Sequence, residues 1–84
     1  MDEFLLARKK DRDRLFAIKE ADIHKLSNAD QYMRMRYERE VEAAWYVKLL
    51  KHGLSYKDAS IEARKEADIM VANWTEESTL YSIS

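Results

Sequence analysis

The sequence predicts a small all-helical protein, and three observations carry that prediction. The 84 residues contain no proline and a single glycine, Gly53. Sheet-rich folds need turn-forming residues at close intervals, so this composition nearly excludes sandwiches and barrels. Apolar residues recur at helical spacing along most of the chain. We therefore expect one domain, residues 1–84, with an antiparallel hairpin of helices 2 and 3, a long first helix and a short C-terminal tail.

The first helix is expected over about residues 2–26. Its apolar residues form two groups, Phe4–Leu6 and the positions from Leu15 to Leu26, and the run 8–14 between them is wholly charged. Charged residues of these types favour a helix, yet nearly two turns lack an apolar face. Three interpretations stay open: the helix crosses solvent there, it breaks there, or its charges meet a partner.

The second and third helices are expected over 28–52 and 55–74, with the only tight turn at Gly53. Ser27 and Ser55 each precede an acidic residue by three positions, which is typical of a helix N-cap. Glycine can end the second helix in the left-handed conformation. A turn this short makes the two helices antiparallel neighbours.

The apolar spacing also predicts which residues form the core. The expected core positions are Leu15, Ile18, Met33, Tyr37, Val41, Ala44, Ala63, Ala67, Met70 and Trp74. The tail, residues 75–84, loses the helical period. Two alternatives remain for the tail: it is extended and docks on the helices, or it is frayed.

We expect no catalytic site, no cofactor and no metal. The chain has no cysteine, which excludes a disulfide, a thiol nucleophile and a cysteine zinc site. His24 and His52 are the only histidines, and the Glu-x-x-His pairs of a di-iron bundle do not occur. Glu38 and Glu42 share a helix face, but Arg34 lies four residues before Glu38, which predicts an ion-pair face instead of acid–base catalysis. A glycine-rich phosphate loop and a Gly-x-Ser-x-Gly motif are also missing from the sequence.

Self-association is expected from the N-terminal apolar cluster. Along a continuous helix, Leu5 and Leu15 lie about 15 Å apart. One small core cannot easily cover both, because a chain of this size buries only about 60% of its unfolded surface. We therefore expect a homo-oligomer, most simply a dimer, with Phe4, Leu5 and Leu6 at its interface.

Binding of another protein is the function that the composition favours. The charged run 8–14, the acidic segment 54–84 and the surplus aromatic residues fit a surface for another protein. A second basic stretch, 32–39, mixes arginines with aromatic residues, as anion-binding surfaces do. The predicted partner-binding residues are Arg8, Lys9, Arg12, Arg34, Arg36, Tyr32 and Tyr46. We expect a regulator or inhibitor of another protein. The alternatives are a nucleic-acid-binding regulator, which a net charge of −1 disfavours, and an oligomer that holds a small anion through interface arginines.

A cytoplasmic location without membrane binding is expected. The sequence has no apolar run of 18 residues, which a membrane-spanning helix would need. Its beginning, Met1-Asp2-Glu3, is acidic, whereas a signal peptide begins with basic residues.

One segment resembles the closing helix of small accessory proteins from tailed bacteriophages. It reads Gly53-Leu54-Ser55-Tyr56-Lys57-Asp58-Ala59, followed by Ala63, Ala67-Asp68 and Val71. The phage helices begin with glycine, an apolar residue and Ser or Thr, and continue with spaced alanines and Ala-Asp-x-x-Val. The resemblance covers residues 53–74. It implies a protein that binds and redirects a host or phage protein in the host cytoplasm, as an inhibitor does, and it assigns no binding residue.

Overall fold

The structure, a computed structural model that describes residues 2–84, is built from three α-helices. They are α1 (Glu3–Phe16), α2 (Asn28–Lys51) and α3 (Tyr56–Ala72). Two short 3₁₀ helices occupy Glu20–Lys25 and Leu80–Ser82. Residues 2–84 contain no β-strand, and the most extensive contact between helices joins α2 and α3. The predicted all-α class, with its α2–α3 hairpin, is confirmed.

The hairpin closes at Gly53, as predicted. Gly53 has a φ of 93°. Its N–H donates to the Leu50 carbonyl at 3.0 Å, and the Leu54 N–H donates to the Leu49 carbonyl at 3.2 Å. This pair of bonds is the Schellman pattern, which satisfies carbonyls left open at the end of a helix.

Both predicted N-caps are present. The Ser27 hydroxyl accepts a hydrogen bond from the Asp30 N–H, and the Ser55 hydroxyl accepts one from the Asp58 N–H, each at 3.1 Å. Each cap satisfies an N–H group that has no partner within its helix, which stabilises a helix by about 1 kcal/mol. Local side chains therefore set where α2 and α3 begin.

The first helix is shorter than predicted, because it ends at Phe16 and not near Leu26. The charged run 8–14 is helical throughout, so the chain breaks after it. Leu15 and Phe16 at the end of α1 pack in the core. Arg14 lies 3.2 Å from Asp30 at the start of α2, so the chain reverses between the two helices. A helix continued to Leu26 would carry the start of α2 about 15 Å beyond this contact.

The core lies where α2 meets α1, α3 and the C-terminal segment. The buried hydrophobic residues are Leu15, Phe16, Tyr37, Val41, Ala59, Ala63, Ala67, Val71 and Ile83. Five of the predicted core positions are among them. The other five, Ile18, Met33, Ala44, Met70 and Trp74, are only half-buried. The molecule measures 38 × 32 × 19 Å, so it is about two helix layers thick and few side chains lie far from solvent.

The C-terminal segment is docked on the helices. Ile83 is 1% exposed and belongs to the same hydrophobic cluster as Tyr37 and Val41. The Lys9 ammonium on α1 donates to the Glu76 carbonyl at 2.7 Å. Of the two alternatives that the sequence left open, the structure selects the docked tail.

Candidate interaction surface

Four of the basic residues predicted to contact a partner are used inside the fold. Arg12 and Arg34 are only 7% and 9% exposed. Arg8 and Lys9 are half-buried, and each forms an ion pair within the chain. Arg12 and Arg34 are therefore not on an open contact surface, whereas a partner contact of the partly exposed Arg8 and Lys9 stays a prediction.

Tyr37 is at the centre of the contact between α1 and α2. Its hydroxyl donates to Asp11 Oδ2 at 2.9 Å. The guanidinium carbons of Arg8 and Arg12 lie 5.2 and 5.9 Å from the centroid of its ring. Burial raises the pKa of Tyr37, while a hydrogen bond from Arg14 lowers the pKa of Asp11. The charged run of α1 therefore meets α2 of its own chain.

Arg12 is a buried cation without an anion. Its Nε has no hydrogen-bond partner, and no ion pair joins Arg12 to a carboxylate among residues 2–84. Its guanidinium carbon lies 5.8 Å from the Trp74 ring, and the Trp74 indole donates to Asp13 at 2.7 Å. The faces of aromatic rings attract cations, so Tyr37 and Trp74 supply the compensation that acceptors usually provide.

Arg34 ties the end of α1 to α2. Its Nε donates to the Leu15 carbonyl at 3.2 Å, and its guanidinium carbon lies 5.9 Å from the Phe16 ring. The predicted ion pair with Glu38, four residues along α2, is confirmed. The sequence placed this pair on a solvated face, whereas the structure buries its arginine.

The outward side of α2 is an uncovered helix face that runs along most of the helix. We call it the α2 outer face, and its residues are Tyr32, Met35, Arg36, Arg39, Ala43, Tyr46, Val47 and Leu50. Tyr32, Met35 and Val47 are 53%, 43% and 50% exposed. Arg36 and Arg39 are exposed and form no ion pair within residues 2–84. The face lies opposite the buried positions of α2.

Residues of this face recur at the spacing of a coiled-coil seam. Tyr32, Arg36, Arg39, Ala43, Tyr46 and Leu50 follow one another at alternating steps of four and three residues. A second helix can pack along such a seam. The structure thus brings together Tyr32, Arg36 and Tyr46 from the predicted set. Sequence reasoning missed the others, although the heptad spacing that connects them was visible in the sequence.

The N-terminal cluster of Phe4, Leu5 and Leu6 is open to solvent. These side chains are 67%, 52% and 39% exposed. The Arg8 guanidinium carbon lies 5.9 Å from the Phe4 ring. The core does not cover the cluster, and its role in joining two copies stays a prediction.

The remaining surfaces offer no clear chemistry. Among residues 2–84, no group of three or more His, Cys, Asp or Glu side chains could hold a metal ion. A groove of about 670 Å³ runs between α1 and the residues that follow α3. Lys9 and Asp13 in its wall pair with each other at 2.9 Å, which neutralises part of its lining. No helix in the described part of the chain could cross a membrane, because none is both long and apolar enough.

Comparisons of the chain with known protein families, with characterised proteins and with solved structures found no match.

Proposed function

We propose that the protein is a cytoplasmic, non-enzymatic interaction module, which regulates or inhibits another protein by binding it through the α2 outer face. One observation carries this proposal: α2 has large apolar side chains on its outward side as well as on its buried side. Exposed apolar side chains grouped on one face mark interaction sites, so a partner is expected to cover the outward side. Tyrosine, methionine and arginine, which dominate this face, are the residues enriched at interfaces.

The expected partner presents an acidic, apolar helix. The heptad seam from Tyr32 to Leu50 suits a helix laid along α2. Arg36 and Arg39 are the charged residues of this face, and opposite charges on a partner speed the encounter and set the register. Tyr32 and Tyr46 at either end can anchor the contact.

The placement of the arginines supports a protein partner over the alternatives of a nucleic acid or a small anion. Arg8, Arg12 and Arg34 contact rings and acceptors of their own chain, which leaves two arginines on the α2 outer face. A nucleic-acid-binding domain normally offers a longer row of phosphate contacts. Each such contact makes the binding affinity fall by about 0.9 log units more for every tenfold rise in salt concentration.

Affinity capture with matched charge variants tests the proposal. The wild type is compared with Arg36→Glu/Arg39→Glu and with Lys51→Glu/Lys57→Glu, which reverses two exposed charges outside the face. Lysate of a candidate host is used with and without nuclease. After nuclease treatment, we expect the wild type and the control variant to capture one stoichiometric protein. The Arg36→Glu/Arg39→Glu variant should bind it at least about tenfold more weakly, a loss of ~1.4 kcal/mol in binding free energy. Equal capture by both double variants, or recovery of nucleic acid alone, would contradict the proposal.

We also propose that Phe4, Leu5 and Leu6 join two copies into a dimer, because three adjacent exposed apolar side chains favour association. Sedimentation equilibrium at about 10 μM, a concentration at which micromolar association is visible, tests this. Leu5→Ser/Leu6→Ser should lower the mass toward that of one 10.0 kDa chain. A wild type that already sediments as a monomer would refute the dimer.

A further inference from the structure

A second exposed helix face lies on α3 and complements the α2 outer face. We call it the α3 outer face, and its residues are Asp58, Ile61, Glu62, Lys65, Asp68, Ile69 and Ala72. Ile61 and Ile69 are 46% and 58% exposed, which is unusual for branched apolar residues on the outside of a hairpin. Glu62 pairs with Lys65 at 3.4 Å, so Asp58 and Asp68 carry the negative charge of this face that stays unpaired within residues 2–84, whereas the charges of the α2 outer face are two arginines.

The two faces also share a period. Asp58, Glu62, Lys65, Ile69 and Ala72 follow one another at steps of four and three residues, as the residues of the α2 seam do. Helices with the same heptad period can pack side by side along their length. Each seam includes an exposed alanine, which lets the two backbones approach closely.

We infer that the α3 outer face of one copy docks on the α2 outer face of a second copy, so that the chain associates head to tail. Arg36 and Arg39 would then face the carboxylates of Glu62 and Asp68. The two faces cannot meet within one molecule, because each lies on the side of its helix opposite the buried positions, such as Val41 on α2 and Ala63 on α3.

The dimensions fit a weak, open contact. The 17 residues of α3 span about 25 Å and the 24 residues of α2 about 36 Å, so one face can lie along the other. A single helix pair is a small interface, and a contact between unlike faces builds either a ring or an open chain of copies. This self-association uses the α2 outer face, which the proposed function assigns to a protein partner. It depends only on the complementarity of the two outer faces and not on the existence of that partner.

A charge exchange between two variants tests the inference. Both variants carry Leu5→Ser/Leu6→Ser, so that the N-terminal cluster does not contribute. The first adds Arg36→Glu/Arg39→Glu, which makes both outer faces acidic. The second adds Glu62→Lys/Asp68→Lys, which makes both outer faces basic. Sedimentation velocity of purified protein up to about 1 mM, a concentration that detects millimolar dissociation constants, is run on the parent, each variant and their equimolar mixture.

The parent, which carries only Leu5→Ser/Leu6→Ser, should show a mass that rises with concentration beyond 10.0 kDa. Each variant alone should stay monomeric because like charges then face each other. The mixture should associate again, at least about tenfold more tightly than either variant alone, since every contact between unlike copies is complementary. A monomeric parent, a variant that associates as the parent does, or a mixture that stays monomeric would overturn the inference. Circular dichroism confirms that each variant is folded. These outcomes concern purified protein, so they leave the capture experiment as a separate test of the proposed function.

Discussion

Replacing Ile83 with alanine is expected to destabilise the whole protein, although this residue lies outside every helix of the hairpin. Ile83 is 1% exposed and packs in the main hydrophobic cluster. Truncating a buried isoleucine to alanine costs about 2–5 kcal/mol, and a docked segment that can partly relax favours the lower part, about 2–3 kcal/mol. A chain of 84 residues has a total stability of only about 4–12 kcal/mol. The thermal midpoint should therefore fall by about 10–20 °C.

Urea unfolding followed by circular dichroism, which reports on all helices, measures the change. Tyr81→Ala is the matched control, because Tyr81 lies two residues away and is 81% exposed. It should change the free energy of unfolding by less than about 0.5 kcal/mol, and Ile83→Val should cost about 0.5–1.5 kcal/mol. If Ile83→Ala unfolds at the same urea concentration as Tyr81→Ala, the segment undocks before the helices unfold and the reasoning fails.

Three further changes have expected outcomes. Arg12→Met should alter the free energy of unfolding by less than about 1 kcal/mol, since replacing a buried charge with an apolar side chain is often neutral or stabilising; a thermal melt showing a loss above about 3 kcal/mol would mean that the ring contacts outweigh desolvation. The pKa of Asp11 is lowered by Arg14, so its ionised form adds stability above the usual pKa near 4, and this stability is lost as the pH falls through the lower folded value. Asp11→Asn should thus lose less stability than the wild type on acidification in urea titrations, and parallel curves would contradict this. Gly53→Ala should cost about 1 kcal/mol in the same assay, because a side chain at φ 93° is strained even in open space, and Gly53→Asn should cost less.

The boundaries of α2 and α3 were readable from the sequence because the signals that set them are local. A serine cap bonds to an N–H only three residues away, as Ser27 and Ser55 do. Gly53 ends α2 through hydrogen bonds within one turn. The exposure of Phe4–Leu6 was also predictable, since the charged run that follows separates this cluster from the next apolar residues along the chain.

The candidate surface was only partly predictable. Tyr32, Arg36 and Tyr46 were chosen for their residue types, and the structure shows that they share one exposed face. Arg12 and Arg34 are of the same types, yet the fold buries them. Residue type indicates what a side chain can bind, whereas burial depends on which element packs across from it.

The sequence by itself determined the helical class, the hairpin and its caps, because these depend on spacing and hydrogen bonds within a few residues. Only the tertiary structure decided where α1 ends, which arginines are open to a partner and whether the C-terminal segment docks. Each of these depends on contacts between distant residues, such as Arg14 with Asp30 and Lys9 with the Glu76 carbonyl. The burial of Ile83 also depends on distant residues. The apolar spacing of its own segment does not predict burial, and the surface on which Ile83 packs exists only after the three helices have come together.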